Sequence, residues 1–319
     1  MTMRNNDFSS LTSMASGADY RTTANPSASA AQTKFRYGLS TMAKRYDTFL
    51  IDQWGVLHDG QKPYVGAVEC LRRLTWSGKQ VIIISNSGKR AAANESRLKK
   101  IGFPRDSYSQ VVTSGEITWQ MLATGGGVFR KFVGKRCLLL SSEDASEFAA
   151  GLSIRLVDSV EEADFILLAG IDDSKPQNYY DYIIATGLSR GIQLICTNPD
   201  LTRITSDGLK PGSGAMAKNY QARGGRVHYI GKPHPEIYSH CLMLAATRSE
   251  GRAIAIGDSL HHDIAGGIAA GIDTLLVIGG VHSKAFEGIS RSANPMDVIS
   301  KITADPDTVP NWAVPFFRW

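Results

Sequence analysis

The sequence has no long hydrophobic run. Apolar stretches such as VIII at 81–84 and FILLAG at 165–170 are far shorter than the roughly 20 apolar residues that a membrane-spanning helix needs. Runs of this length are typical of buried strands. We therefore expect no membrane-spanning helix and no membrane partner.

Cysteine is scarce and scattered. None of the four cysteines forms a CxxC pair or clusters with histidine, which are the patterns of zinc sites and disulfide frameworks. The sequence therefore predicts buried, free thiols that act as small apolar side chains in a reducing compartment. The cysteines are Cys70, Cys137, Cys196 and Cys241.

Excess charge of one sign is also lacking beyond residue 46. The formal net charge is +5, and residues 1–46 carry six Lys or Arg against two Asp, a net +4 that leaves about +1 for the remainder. A nucleic-acid-binding body would need a much stronger basic character. We predict no nucleic-acid partner.

The first 33 residues are rich in Ser, Thr and Ala, poor in acids, and have no apolar segment like that of a secretory signal. Two interpretations stay open for 1–33: a disordered leader, or an organelle targeting segment. We expect the protein in the cytoplasm, or in a plastid or mitochondrion if the leader is a transit peptide.

From Tyr46 onward, short β-rich runs alternate with amphipathic helical patterns. This alternation predicts βαβ units and a parallel sheet covered by helices on both faces. The predicted strands are 47–53, 81–85, 110–113, 136–140, 164–169, 192–196, 227–230, 253–257 and 273–278, and clear helical segments are 89–101, 178–190 and 235–246.

Three apolar runs end on polar residues: FLID on Asp52, VIIIS on Ser85 and AIAIGD on Asp258. Ligands of such sheets bind outside the carboxyl ends of the strands. Asp263 follows five residues after Asp258, and three carboxylates at one place repel each other unless a hard cation such as Mg²⁺ neutralises them. The alternative is that Asp258 and Asp263 are a helix cap and a solvated first-turn acid.

Two further segments offer groups that bind phosphoryl oxygens. Ser85 and Asn86 precede a predicted helix, where side chains and backbone amides can hold an anion; ordinary helix capping is the alternative. Lys232, in YIGKPHPEIY, lies before two prolines that stiffen the turn, so its charge would be held in place. A solvated surface lysine is the other interpretation.

Taken together, the segments around Asp52, Ser85, Lys232 and Asp258 resemble the four ordered motifs of the haloacid dehalogenase-like superfamily. The segments TNPD and LKPGSGAMAK are similar to those of its class IIA branch, in which a cap domain is inserted between the second and third motifs. A sub-branch with DQ[WF]GVLHDG and GDSLHHDI has an aromatic residue two positions after the first aspartate, as here at Trp54. The four motifs are DQWGVL at 52–57, SN at 85–86, GKPHPEIY at 231–238 and GDSLHHDIAGGIAAG at 257–271.

The resemblance implies an α/β fold: a Rossmann-like, doubly wound parallel sheet with an inserted α/β cap domain. It assigns residues 34–116 and 208–319 to the core domain and residues 117–207 to the cap. Closure of a cap excludes water from a reacting phosphoryl group. The region 171–182 is a candidate for substrate contacts, although its aromatic residues are more typical of packing inside the cap.

The resemblance also implies a hydrolase of a small phosphorylated metabolite, with Asp52 as the nucleophile that forms an aspartyl-phosphate. Lys232 would be catalytic and would bind phosphate together with Ser85 and Asn86. Mg²⁺ would be the cofactor. Its ligands would be Asp52, the carbonyl of Trp54 and Asp258, with Asp263 either a further ligand or held just outside the ligand set.

Trp54 occupies the position where phosphatases of this superfamily usually have a second aspartate, the general acid and base. An indole cannot exchange protons at neutral pH, and acid–base help is typically worth ~10²–10⁴ in rate. The enzyme could therefore be slow, limited to good leaving groups, or dependent on another acid. The alternatives are a non-catalytic phosphometabolite-binding or regulatory protein and a phosphotransferase. Possible substitute acids or bases are His58, Asp59, His261 and His262.

The segment 306–319 contains four aromatic residues and is too apolar for a solvated end. We expect it to pack on its own chain, or alternatively at the interface of a homodimer.

Overall fold

The computed structural model describes residues 33–142, 144–205, 208–246, 251–283, 295–303, 305 and 308–319. The predicted leader therefore lies outside the described residues up to residue 32. Thr33 is buried, and its hydroxyl donates to the carbonyl of Pro310 (2.8 Å). Within the described ranges, no helix has both the length and the apolar character that crossing a membrane requires.

Strands and helices alternate along the chain, and all nine predicted strands are present. In the described residues the strands are β1 (Lys34–Phe35), β2 (Thr48–Asp52), β3 (Gln80–Ser85), β4 (Gln110–Thr113), β5 (Arg136–Leu140), β6 (Arg155–Leu156), β7 (Phe165–Leu168), β8 (Gln193–Cys196), β9 (Thr202–Thr205), β10 (Gly208–Pro211), β11 (Val227–Tyr229), β12 (Ala253–Gly257), β13 (Asp273–Val277) and β14 (Trp312–Val314). The α-helices are α1 (Ala67–Trp76), α2 (Ala91–Ile101), α3 (Ser114–Thr124), α4 (Ala145–Ala149), α5 (Gln177–Ser189), α6 (Ser213–Ala222), α7 (Pro235–Ala246), α8 (Ala265–Ala269) and α9 (Pro295–Ile302), and there are short 3₁₀ helices at Ala43–Arg45, Arg105–Ser107 and Gly127–Phe132 and a π-helix at Leu260–Ile264.

The chain divides into two compact units. We call the first the core unit; within the described residues it comprises 33–85, Ala91–Thr113 and the described part of 231–319. The second, the inserted unit, comprises Asn86–Arg90 and Ser114–Ile230 within the described residues.

The core unit is built on a seven-stranded sheet with the order β1-β14-β13-β12-β2-β3-β4, in which every neighbouring pair is parallel. The chain winds outward from β2 through β3 to β4 and outward from β12 through β13 to β14. The winding direction therefore reverses between β2 and β12, which is where ligands of doubly wound sheets bind. The predicted doubly wound parallel sheet is confirmed.

Apolar side chains cover both faces of this sheet. On one face, Phe49, Ile51 and Val81 belong to a cluster that includes Leu71 and Leu74 of α1. On the other face, a second buried cluster lies under the π-helix and α9. Burial on both faces explains why the strands are almost continuously apolar. The second cluster is Leu260, Ile264, Leu276, Ile278, Ile299 and Ala313.

The inserted unit has its own parallel sheet, in the order β11-β8-β7-β5-β6, and an antiparallel hairpin of β9 and β10. Strand β11 pairs with β8, with Val227 opposite Leu194, so the chain as far as Tyr229 belongs to this sheet. The longer segment of this unit is Ser114–Ile230, whereas the predicted cap spans residues 117–207. The difference arises because the pairing partner of β11 is not encoded in its local pattern.

The aromatic tail packs on its own chain. In β14, which lies between β1 and β13, the Trp312 indole nitrogen donates to the hydroxyl of Tyr46 (2.8 Å), and Phe317 is fully buried. Residues 306 and 307 of the predicted segment lie outside the described part of the chain. All four cysteines are free and buried, as predicted.

Candidate functional site

Three carboxylates converge at the carboxyl edge of the core sheet. Asp52 is the last residue of β2, Asp258 directly follows β12, and Asp263 lies on the π-helix that comes next. One oxygen of each carboxylate lies within 4.8 Å of the others. The sequence placed these residues at strand ends, and adjacent parallel strands bring them together.

Lys232 lies inside this group. Its Nζ donates to Oδ1 of Asp52 (2.6 Å) and to Oδ1 of Asp263 (2.7 Å), and its side chain is only 3% exposed. Lys232 is therefore not a solvated surface lysine. It joins two carboxylates that come from different elements.

Two glycine residues allow the backbone to approach the carboxylate of Asp258 closely. Gly55 has a φ of +76°, and a Cβ there would lie 1.8 Å from Oδ2 of Asp258; a Cβ at Gly280 would lie 2.0 Å from the same oxygen. The amide of Val281 donates to this oxygen at 2.9 Å. A side chain at either glycine would collide with the carboxylate, so both close approaches require glycine.

Two of the three carboxylates, Asp52 and Asp258, are more basic than usual. Burial raises the pKa of Asp52 well above its usual value, against the opposing charge of Lys232. Burial, reinforced by the charge of Asp263, raises the pKa of Asp258 to about 7. These shifts mean that one ammonium group does not balance three buried carboxylates.

The lysine remains charged in this environment. Burial alone would lower the pKa of Lys232, but the charges of Asp263 and Asp52 outweigh that effect and raise it above its usual value. A permanent positive charge therefore lies next to the predicted nucleophile.

The donor set fits Mg²⁺. Three closely spaced carboxylate oxygens are ligands that this hard cation prefers, and the cluster carries the excess negative charge that a divalent cation would offset. The residues able to hold it are Asp52, Asp258 and Asp263. The carbonyl of Trp54 stays a prediction as a further ligand.

Ser85 and Asn86 lie at the carboxyl end of β3, the strand next to β2. Ser85 ends β3, one residue beyond Ile84, which pairs with Asp52, and it is buried. The Asn86 amide donates to Oδ1 of Asp200 (2.8 Å) in the inserted unit. Asp200 is the final residue of the TNPD segment, and no local pattern in the sequence indicated its contact with Asn86.

The indole of Trp54 packs against its own turn and against α2. A Cβ at Gly60 would lie 2.2 Å from Cη2 of Trp54, and the guanidinium of Arg97 lies over the ring, 4.8 Å from its centroid. The His58 ring meets it edge-on at 5.3 Å. Trp54 keeps 36% of its surface exposed.

His58 is fully buried. Its Nδ1 accepts the amide hydrogen of Gly60 (3.0 Å), so the neutral ring carries its proton on Nε2. Burial, reinforced by the charge of Arg97, lowers the pKa of His58 to about 4. At neutral pH the ring is therefore uncharged, which does not favour donation of a proton; the role of His58 as a substitute acid or base stays a prediction.

The other candidate acids and bases differ in their surroundings. Asp59 is exposed, and its Oδ1 accepts the amides of Gln61 and Lys62 (both 2.9 Å), which lower the pKa of the carboxyl. His261 and His262 lie on the same π-helix as Asp263. The structure thus places the histidine pair beside a member of the carboxylate cluster, whereas Asp59 stabilises a turn.

Comparison with known proteins agrees with this geometry. A family model described as haloacid dehalogenase-like hydrolase matches residues 49–155, and a second, described as HAD-hydrolase-like, matches residues 229–304. Together they cover more than half of the chain.

Curated relatives and solved structures point the same way. The chain is 28% identical over 247 residues to a D-glycerol 3-phosphate phosphatase of Mycobacterium tuberculosis, covering 77% of this chain and 66% of that protein. It is 30% identical over 244 residues to an acid sugar phosphatase of Staphylococcus aureus, covering 75% and 88%. A crystal structure of glycerol phosphate phosphatase from Mycobacterium tuberculosis in complex with magnesium superposes with a TM-score of 0.65 at 25% identity, covering 85% of this chain and 76% of that one. The motifs, the sheet and these matches agree: the chain belongs to the haloacid dehalogenase-like hydrolase family.

Proposed function

We propose that this protein is a Mg²⁺-dependent phosphatase that hydrolyses the phosphate monoester of a small metabolite through a phosphoryl group carried on Asp52. The observation that carries the proposal is the convergence of Asp52, Asp258 and Asp263 around the buried ammonium of Lys232. The phosphatase names of the relatives support it, since both act on small phosphorylated compounds according to those names.

Bound Mg²⁺ would offset the negative charge of the three carboxylates and of the phosphoryl oxygens. Asp258 and Asp263 would serve mainly to hold it. Their burial matters because electrostatic interactions strengthen where water is excluded.

In the first step, a carboxylate oxygen of Asp52 attacks phosphorus. The Asp52 O–P bond forms, the ester P–O bond breaks, and the leaving alkoxide takes a proton from solvent or from a substitute acid. Lys232, already 2.6 Å from Asp52, favours the ionised carboxylate against the effect of burial, as a bound Mg²⁺ would, and it stabilises the negative charge on the transferring group. Ser85 would donate a hydrogen bond to a phosphoryl oxygen from the end of β3.

In the second step, water attacks phosphorus, the Asp52 O–P bond breaks, and inorganic phosphate leaves. A side chain that transfers protons would accelerate both steps, but the indole at position 54 cannot act in this way. We therefore expect esters with good leaving groups to react faster and the phosphoryl group to persist on Asp52.

Single-turnover labelling tests the proposal. The full chain is mixed with Mg²⁺ and a ³²P-labelled phosphate ester and then quenched in acid. We expect close to one equivalent of label on Asp52, decaying by hydrolysis, and no label in Asp52→Asn. The matched control is Asp164→Asn, which removes a carboxylate of the inserted unit whose partner is Arg136.

The same experiment distinguishes the alternatives. Mg²⁺-dependent binding of the ester without label in the wild-type chain would indicate a non-catalytic binding protein. Label that appears on an added acceptor alcohol rather than as inorganic phosphate would indicate a phosphotransferase.

A substitute acid can be identified by comparing how much its removal slows the hydrolysis of esters with poor and with good leaving groups. Loss of the acid should slow hydrolysis of an alkyl phosphate by ~10²–10⁴ and leave 4-nitrophenyl phosphate, whose leaving group needs no proton, much less affected. The four variants are His58→Ala, Asp59→Ala, His261→Ala and His262→Ala. From the geometry we expect His261 or His262, rather than the buried His58, to show this pattern.

A further inference from the structure

The indole of Trp54 has three partners that fix its orientation. The guanidinium of Arg97 covers the ring at 4.8 Å, the His58 ring touches its edge, and the backbone of Gly60 lies so close that no Cβ would fit. Gly60 has a φ of +93°, a backbone conformation that suits glycine.

Arg97 also holds the turn directly. Its Nη2 donates to the carbonyl of Gly60 (3.2 Å). One exposed side chain of α2 therefore contacts the turn at two places, Trp54 near its start and Gly60 near its end. A guanidinium can do both because it is planar and carries several donors.

The turn between these two contacts is closed by its own hydrogen bonds. The amide of Leu57 donates to the carbonyl of Gln53 (2.8 Å), and the amide of Gly55 donates to the carbonyl of His58 (3.2 Å). The amide of Gly60 donates to Nδ1 of His58 (3.0 Å), so hydrogen bonds link the turn from residue 53 to residue 60, and a restraint on Trp54 and Gly60 acts on the residues between them.

This turn meets the carboxylate cluster at Gly55. A Cβ at Gly55 would lie 1.8 Å from Oδ2 of Asp258, so the backbone of residue 55 is packed against the carboxylate without a side chain between them. Asp52 is the residue immediately before the turn. A displacement of the turn would therefore change the positions of both Asp258 and Asp52.

We propose that Arg97 is a positioning residue of the carboxylate cluster: it clamps the Trp54 indole onto Gly60 and so fixes the turn that carries Gly55 against Asp258. In this chain the residue at position 54 serves as a packing anchor rather than as an acid. The inference rests on the proposed function, because it assigns the cluster to a Mg²⁺ site.

The first test is the affinity for Mg²⁺ itself, measured by isothermal titration calorimetry in the absence of substrate. Arg97→Ala should weaken binding by about three- to tenfold, the factor expected when one exposed cation–π contact and one hydrogen bond are lost. Arg97→Lys keeps the charge over the ring but not the planar fork, and it should recover part of the loss. Arg97 is exposed, so these variants should fold, which circular dichroism verifies.

Arg105 supplies the matched control. Its guanidinium lies 4.9 Å from the ring centroid of Tyr108, and it is an exposed arginine over an aromatic ring that touches none of the turn residues named above. Arg105→Ala should leave the Mg²⁺ affinity unchanged. Equal Mg²⁺ affinities in Arg97→Ala and Arg105→Ala would overturn the proposal.

The aromatic partner is tested independently. Trp54→Phe preserves a ring for Arg97 to cover and should retain most of the affinity, whereas Trp54→Leu should behave like Arg97→Ala. In the double variant Arg97→Ala with Trp54→Leu the two losses should not add, because each alone already releases the clamp. Additive losses would contradict a shared clamp.

Activity measurements separate this inference from the proposed function. If the wild-type chain binds Mg²⁺ but never labels Asp52, the proposed function fails while the clamp stands or falls on the affinities. If the wild-type chain labels Asp52, we expect Arg97→Ala to raise the Mg²⁺ concentration for half-maximal turnover and to leave the rate at saturating Mg²⁺ within about threefold, the pattern of lost binding rather than lost chemistry.

Discussion

The core unit and the inserted unit have the same kind of sheet but very different sheet edges. Both sheets are parallel, yet among the described residues only the larger has carboxylates at its strand ends, with Asp52 as the last residue of β2 and Asp258 directly after β12. In the inserted unit, β7 and β8 are followed by Ala169 and Thr197. A parallel sheet provides a place where strand ends meet, and the residue types at those ends decide whether chemistry can occur there.

One ion pair from each unit shows how strongly burial can differ between charged groups. In the core unit, Lys232 is 3% exposed and contacts two carboxylates. In the inserted unit, the pair Arg136–Asp164 is 42% and 33% exposed at 2.9 Å. Exposed pairs are screened by water and contribute little to stability, whereas a buried charge that loses its partner is costly.

The largest expected difference is between Lys232→Met and Arg136→Met. Lys232→Met leaves buried carboxylates without their counter-charge, which should cost about 3–5 kcal/mol in the free energy of unfolding and lower kcat/KM by about 10²–10³. Arg136→Met should change the free energy of unfolding by less than about 1 kcal/mol and leave turnover unchanged. Urea titration and steady-state kinetics measure both. Equal losses of stability would show that burial does not distinguish the two pairs.

Removal of Mg²⁺ should destabilise the core unit of the wild type more than that of a variant that lacks one of the carboxylates. A bound ion at about 100 times its Kd stabilises by ~2.7 kcal/mol, so chelation should lower the melting temperature by several degrees. In Asp258→Asn one of the like charges is gone, and the ion-free protein should melt higher than the ion-free wild type. The same variant should lose the stabilisation by Mg²⁺.

Differential scanning fluorimetry of both chains, with and without EDTA, measures these four melting temperatures. The control is Asp164→Asn, which should respond to Mg²⁺ as the wild type does. An Asp258→Asn protein that gains as much from Mg²⁺ as the wild type would contradict the assignment of Asp258 as a ligand.

A smaller effect on kcat/KM is expected from the hydrogen bond between Asp200 and Asn86, the predicted phosphate-binding residue that belongs to the inserted unit. Asp200→Ala removes the acceptor of the Asn86 amide, and the loss of one charged hydrogen bond should lower kcat/KM by roughly tenfold. Asp200→Asn retains an oxygen acceptor and should recover much of the rate.

Asp173→Ala is the matched control for this prediction, because Asp173 is another acid of the inserted unit that pairs with Arg203. Asn86→Ala combined with Asp200→Ala should be no worse than the more severe single variant. Independent, additive losses would mean that Asp200 does not act through Asn86.

The smallest expected effect concerns stability at high pH in the core unit. Burial and the hydrogen bond to Asp273 raise the pKa of Tyr46 to about 12, from about 10 in an unfolded chain. The folded state then holds its proton where the unfolded state has lost it, so the stabilisation is present below pH 10 and declines as the pH rises from about 10 to about 12.

Tyr46→Phe should remove this part of the pH dependence, which urea unfolding at pH 9, 10 and 11 would reveal as a flatter profile. The control is Tyr37→Phe, since the side chain of Tyr37 is 70% exposed. If the free energy of unfolding of Tyr46→Phe fell as steeply with pH as that of the wild type, Tyr46 would be excluded as the source of the decline.

Several features of the site were predictable from short segments. Each of Asp52, Ser85 and Asp258 ends a run of apolar residues, so its place at the carboxyl edge follows from the pattern of its own strand. Lys232 was predictable as a residue of a stiff turn because two prolines follow it. These predictions needed only local sequence and the rule that parallel strands share an edge.

Other features depended on contacts between distant segments. The packing of Arg97 on Trp54 joins residues 43 positions apart in the chain, and the bond from Asn86 to Asp200 spans 114 positions. The buried state of His58 arises because Trp54 and Phe103 surround its ring. None of these follows from the period or composition of a single segment.

The sequence by itself determined the parallel α/β sheet, the strand ends that carry carboxylates and the absence of an acid at position 54, because strand pattern and side-chain chemistry are local properties. Only the tertiary structure decided that Lys232 is buried between two carboxylates, that His58 is a neutral buried ring, and that the inserted unit continues to β11. Burial and charge pairing depend on which distant segments meet, and they alone set whether an ionisable group is solvated and exchanges protons freely or is desolvated and held in one charge state.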